Sequence, residues 1–140
     1  MRKEELLQIL KACLEEGSQS GFVFHELFIR EFFEILKNAS GSEREIFNHL
    51  IRQLGYVRDF GWRVNEVDGN EIIKHTKRSY YSLHLQSKMF NIRLIVGFLP
   101  DNTPIFLSAF YEKAGKKKTN YSNYISTLDS RYQEIEGELS

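Results

Sequence analysis

Little in this sequence offers a ready-made chemical group. Cys13 is the one cysteine in 140 residues, so no disulfide can form within the chain, and a reducing compartment is expected. Its neighbours Leu6, Leu10 and Leu14 make a buried, inert thiol the expectation. Proline is scarce, at 2 residues, while 11 Phe and 7 Tyr are present, a balance that speaks for a packed fold over disorder. The longest apolar run, over residues 92–100, falls far short of the roughly 20 residues of a membrane span. The opening MRKEELLQIL carries acids where a secretory leader needs an apolar core, so a cytoplasmic protein without a membrane partner is expected. His25, His49, His75 and His84 lack the i, i+3 or i+4 companions of metal ligands. Neither a glycine-rich phosphate loop nor a serine nucleophile elbow occurs. No metal and no cofactor are expected.

Net charge is also lacking, but only in the sum. Residues 1–49 hold six Lys/Arg against nine Asp/Glu, residues 50–118 twelve against six, and residues 119–140 one against four. A segment of net charge +6 between two of −3 points to an anionic ligand for its middle.

Leu6, Leu7, Leu10, Cys13 and Leu14 lie at helical spacing over residues 2–16, and the Gly/Ser-rich 17–21 reads as a flexible link. Residues 1–21 are therefore expected to form an appended amphipathic helix and linker, and residues 22–140 the main domain. The leucine stripe needs cover, and a homodimer through residues 2–16 would supply it. Phe22-Val23-Phe24 reads as a short strand, and Phe28, Phe32, Ile35 and Leu36 as a broadly buried helical stripe. Ser42 with Glu45 reads as a capping box opening a helix that Gly55 should stop. Residues 56–71 read as an irregular loop pinned by Trp62. Lys74, Lys77 and Arg78 form a basic cluster before an alternating strand in which Tyr81, Leu83 and Leu85 face one way, and Ser82 and His84 the other.

The most informative stretch is 90–113. Two apolar runs flank Pro100-Asp101-Asn102-Thr103-Pro104, a hairpin signal. Arg93 stands inside the first run, where a charge is costly without a partner or a task. The second run empties into Lys113 and the Lys116-Lys117-Lys118 series. Tyr124, Ile125, Leu128, Tyr132 and Ile135 make a last helical stripe. The fold expected is α+β, a small antiparallel sheet of three or four strands packed by a helical pair and a C-terminal helix.

Tyr-Ser-Leu-His-Leu, then Ile-Arg-Leu-Ile-Val-Gly-Phe, then the strand ending in Tyr-Glu-Lys-Ala-Gly-Lys-Lys before a final helix, resembles the RelE/HigB superfamily of bacterial toxins, in its phage-derived HigB-like branch. The likeness covers residues 22–136. It implies a RelE-like fold and a cytoplasmic toxin held by a cognate antitoxin with a helix-turn-helix domain. The implied activity is ribosome-dependent, metal-independent mRNA cleavage that inhibits translation. Arg93 corresponds to the strand arginine of that family and Lys113 to the strand-end lysine. Tyr121 or Tyr124 corresponds to a tyrosine used as a base in some members. Ser82 and His84 depart from the charged residues usual there. Non-enzymatic inhibition of a host target such as DNA gyrase, or a degenerate member kept for antitoxin binding, are the alternatives.

Such cleavage needs a base for the 2′-hydroxyl, cations for the phosphate and an acid for the leaving oxygen. Arg93, His84, Lys113 and Tyr121 are the candidate catalytic residues. Lys74, Lys77, Arg78, Lys88, Lys116, Lys117 and Lys118 are the candidate RNA contacts.

Overall fold

The two long apolar runs form the centre of the sheet, and alternation along them divides the molecule into two layers. The computed structural model describes residues 1–112 and 121–139. The expectations placed on Lys113, Lys116, Lys117 and Lys118 lie outside those residues. In chain order the elements are α1 (Lys3–Gln19), β1 (Val23–Phe24), α2 (Glu26–Lys37), α3 (Glu43–Phe60), a 3₁₀ turn Gly61–Glu66, β2 (Glu71–Ile73), β3 (Tyr80–Gln86), β4 (Asn91–Phe98), β5 (Pro104–Tyr111), a second 3₁₀ turn Tyr121–Tyr124, and α4 (Ile125–Leu139). The fold is α+β, with a five-stranded open sheet in the order β1-β5-β4-β3-β2.

The sheet is larger than expected and mixed, not purely antiparallel. β1 runs parallel to β5, with Val23 opposite Ile105 and Phe24 opposite Phe106. At the other edge β2 pairs with β3, within and just past the stretch read as irregular. β4 and β5 form the expected hairpin. In its turn the Asp101 carboxylate accepts from Thr103 N at 3.1 Å, and Asn102 takes φ 70°, a left-handed conformation that asparagine tolerates.

One face of the sheet presents Tyr81, Leu83, Leu85, Ile92, Leu94, Val96 and Phe106 to α1, α2 and α3. The other presents Tyr80, Ile95, Ile105 and Leu107 to α4, which contributes Leu128, Tyr132 and Ile135. A bulge shifts the β4–β5 register: Ile95 faces Ser108 while Val96 faces Phe106, leaving Leu107 as the extra residue. Beyond β1 the free edge of β5 is covered by side chains. Glu31 accepts from Ala109 N at 3.1 Å and from Ser108 Oγ at 3.2 Å, and Arg131 donates to Leu107 O at 2.8 Å. Such cover protects an edge that would otherwise offer unpaired backbone groups.

Several local expectations are corrected. α1 runs through Gly17, so no flexible link follows residue 16. A Cβ there would stand 2.7 Å from the Phe24 ring, which makes this glycine a close-packing contact. Leu6, Leu10, Cys13 and Leu14 are buried in the same core as α2 and α3. The stripe expected to dimerise is thus largely covered in cis, with Leu7 37% exposed. The Ser42 side chain makes no cap bond; Glu43 Oε1 instead accepts from Gly41 N at 2.6 Å. Gly55 does not stop α3, because Val57 extends the buried face another turn. The stop is Gly61, at φ 56°, a conformation a β-carbon would oppose. Trp62 pins nothing, being 58% exposed. Among the described residues no helix is long and apolar enough to cross a membrane.

Candidate functional site

α4 covers only part of its face of the sheet. Beside it, where the 3₁₀ turn Tyr121–Tyr124 arrives, the side chains on β2, β3 and β4 are polar. His84 and Arg93 are direct cross-strand partners, brought together on that face by the alternation that sends Leu83, Leu85, Ile92 and Leu94 into the opposite layer. Three of the four expected catalytic residues, Arg93, His84 and Tyr121, converge here, while Lys113 lies outside the described residues.

Arg93 is buried, with 8% of its surface exposed. Its Nη1 donates to the Asn91 side chain and, at 3.5 Å, to Ile92 O. Its Nε is sealed from solvent and has no hydrogen-bond partner among the described residues. No carboxylate pairs with it among the described residues, although buried guanidinium groups ordinarily require one. Its cross-strand neighbour His84 titrates below the ordinary imidazole range. Burial is the main cause, the Arg93 charge adds to it, and the Glu71 carboxylate opposes it. Glu71 Oε1 stands 2.8 Å from His84 Nε2, off the line of a well-formed hydrogen bond.

The two candidate tyrosines are placed differently. Tyr121 is buried, its hydroxyl 2.7 Å from Ser82 Oγ and donating to Glu71 Oε1 at 3.2 Å. Tyr124 instead stacks on Phe110, with centroids 4.8 Å apart and planes 5° from parallel. Ser82, which departs from the family pattern, is thus the partner of the Tyr121 hydroxyl.

The backbone of His84 is held from the opposite layer. β2 begins at Glu71, opposite Ser82, so on its β2 side β3 has no strand partner at His84, and side chains complete the ladder there. Asn70 Oδ1 accepts from His84 N at 2.9 Å, and Gln53 Nε2 donates to His84 O at 3.1 Å. The two amides also bond each other, at 2.8 Å and 3.0 Å. Gln53 and Asn70 are both buried, so each amide is satisfied where an unpaired one would be costly.

Among the described residues, the expected basic contacts do not lie together. Lys74, Lys77 and Arg78 lie in the β2–β3 connection. Lys88 lies in the β3–β4 turn at the far end of a seven-residue strand, about 20 Å away at ~3.3 Å per residue. Lys74, Lys77 and Lys88 are exposed. Arg78 is engaged elsewhere: it pairs with Asp129 at 3.1 Å and lies over the Tyr132 ring at 3.9 Å. Tyr80 donates to the same Asp129, and burial together with that carboxylate pushes its phenol up. Arg78 therefore links α4 to the sheet.

Glu71, Asn91, Gln53 and Asn70 were missed. Nothing in the sequence marks them, since their roles depend on β2 docking beside β3. Among the described residues no three His, Cys, Asp or Glu converge as a metal site. No family model matches this chain, and no solved structure matches it. It is similar over a short segment to a glycogen synthase of Nitrosospira multiformis, 38% identical over 61 residues, which is 42% of this chain. The chain spans 12% of the length of that curated protein, so the likeness concerns a fragment of it.

Proposed function

We propose that this chain is a toxin of the RelE/HigB type, a ribosome-dependent mRNA endoribonuclease held inactive by an antitoxin. One observation carries the reading. Arg93, buried at the centre of the sheet, has among the described residues no carboxylate within ion-pair distance and no partner for its Nε, and its cross-strand neighbour is a histidine held neutral near pH 7. A buried cation without a counter-ion suits a ligand that brings its own negative charge, and guanidinium grips phosphate through two donors.

In the reaction proposed, His84 takes the proton of the ribose 2′-hydroxyl, and the 2′-oxygen attacks the adjacent phosphorus. The bond to the 5′-oxygen breaks, leaving a 2′,3′-cyclic phosphate, and the departing oxygen takes a proton. Arg93 stabilises the charge that builds on the phosphoryl oxygens. Lys113, which follows β5, suits the proton donor, and Tyr121 keeps Ser82 and Glu71 in place around the base. Lys88, Lys116, Lys117 and Lys118 suit backbone phosphates of the message and the ribosome. An antitoxin with a helix-turn-helix domain and an acidic or helical inhibitory segment suits the same surface.

The test is to express the chain alone and map mRNA 5′ ends and DNA breaks in parallel. New mRNA ends that are absent from Arg93→Ala support the reading. DNA breaks without mRNA cleavage, or growth arrest unchanged in Arg93→Ala, overturn it.

A further inference from the structure

Glu71 carries an inference that rests on the endoribonuclease reading and deepens it. Three side chains could settle the proton on the His84 ring among the described residues, one from each element packed around it. Arg93 on β4 is a cation and repels a second one. Tyr121, in the 3₁₀ turn, spends its hydroxyl on Ser82 and Glu71. Glu71 on β2 brings a carboxylate oxygen to 2.8 Å from Nε2. Glu112 is the further acid nearby, buried just past β5 with its N–H on Asn91 O at 2.7 Å.

A carboxylate oxygen that close to a ring nitrogen repels a lone pair and attracts an N–H. Ionised Glu71 therefore favours a proton on Nε2, and a neutral imidazole with Nε2–H carries its lone pair on Nδ1. Two further contacts make this arrangement a built one. Asn70, the residue before Glu71, accepts from His84 N at 2.9 Å, so one dipeptide holds both the main chain and the ring of His84. Glu71 is itself in register opposite Ser82, and the Tyr121 hydroxyl donates to the same Oε1 that faces His84.

We propose that Glu71 is the positioning residue of the site, holding His84 as its Nε2–H tautomer so that Nδ1 is the nitrogen that accepts the 2′-hydroxyl proton. Glu71 touches no reacting atom in this scheme. It acts through His84, as a carboxylate does when it orients a catalytic imidazole.

Histidine-labelled nitrogen NMR of the intact chain, with His84→Gln to assign the signal, tests this without RNA. The wild-type ring should carry its neutral proton on Nε2 and titrate below the ordinary imidazole range. Glu71→Gln keeps the shape and removes the charge. It should lower the His84 titration further and mix the tautomers, whereas Glu71→Asp should keep the Nε2–H form. In message-cleavage assays with ribosomes, Glu71→Gln should lower kcat on the order of tenfold or more, as expected of an imidazole held in the wrong tautomer. KM should change less than twofold, and the acid limb of the pH profile should move down. A wild-type Nδ1–H tautomer, or a titration that Glu71→Gln leaves unmoved, overturns the assignment. The NMR result stands apart from cleavage: an Nε2–H tautomer lost in Glu71→Gln supports the role of Glu71 even if no message is cut, an outcome that counts against the endoribonuclease reading alone.

Discussion

Two arginines in this molecule are withdrawn from solvent almost equally, Arg93 at 8% exposure and Arg131 at 9%, yet their surroundings differ in kind. Arg131, on α4, makes a two-pronged pair with Glu31 on α2, both contacts at 2.9 Å, and donates to the carbonyl freed by the β5 bulge. Every partner it needs belongs to the fold. Among the described residues Arg93 has Asn91 and one distant carbonyl, and its Nε has no partner. The first arginine joins two helices across the edge of β5 that they cover. The second meets the cost of burial incompletely, which suits a group whose partner comes from outside. Burial alone does not tell a satisfied charge from an unsatisfied one; its partners do.

Substitution should separate the two most sharply. Arg93→Ala is expected to lower message cleavage by 100- to 1000-fold, about 3–4 kcal/mol of transition-state stabilisation, while unfolding free energy shifts by no more than about 1 kcal/mol. Arg131→Met should do the reverse. It leaves Glu31 with its neutral partners only and should cost about 2–3 kcal/mol in urea unfolding, the value for a buried pair discounted because Glu31 is a third exposed. Equal destabilisation by the two would erase the distinction.

The backbone support of His84 can be loosened without touching either arginine. Gln53→Leu leaves the Asn70 amide buried and short of a partner, at a cost of about 2 kcal/mol, and frees the His84 carbonyl. Denaturation and cleavage assays should both register it.

Acidification gives a smaller effect with a definite sign. His84 titrates below its unfolded value near 6.5. Between those two values the unfolded chain binds the proton and the folded chain does not, so stability is lost as pH falls through about 6.5. His84→Gln should flatten that part of the pH–stability curve, and an unchanged slope would refute neutral burial of the ring. Leu7→Ser should matter least, within about 0.5 kcal/mol for a half-exposed position, and should leave the solution mass unchanged if α1 is spent within its own chain.

The central hairpin, the helical stripes of α1, α2 and α4, and the candidate pair His84 and Arg93 were all legible in the sequence. Each rests on a local period or on a charge conspicuous in an apolar run, and local pattern is what one chain displays directly. The extent of α3 was not, because propensity stops a helix at Gly55 while packing by Val57 carries it to Phe60. The two edge strands were obscure for a related reason: β1 has two residues and β2 three, too few to show a period. Arg78, Lys74 and Lys77 look alike along the chain, and only the docking of α4 sets Arg78 on Asp129 and Tyr132. Glu71, Asn70 and Gln53 reach His84 from 13, 14 and 31 residues away. Sequence determined which strands carry His84 and Arg93; long-range pairing decided what surrounds them, because a hydrogen bond depends on distance in space and a period only on distance along the chain.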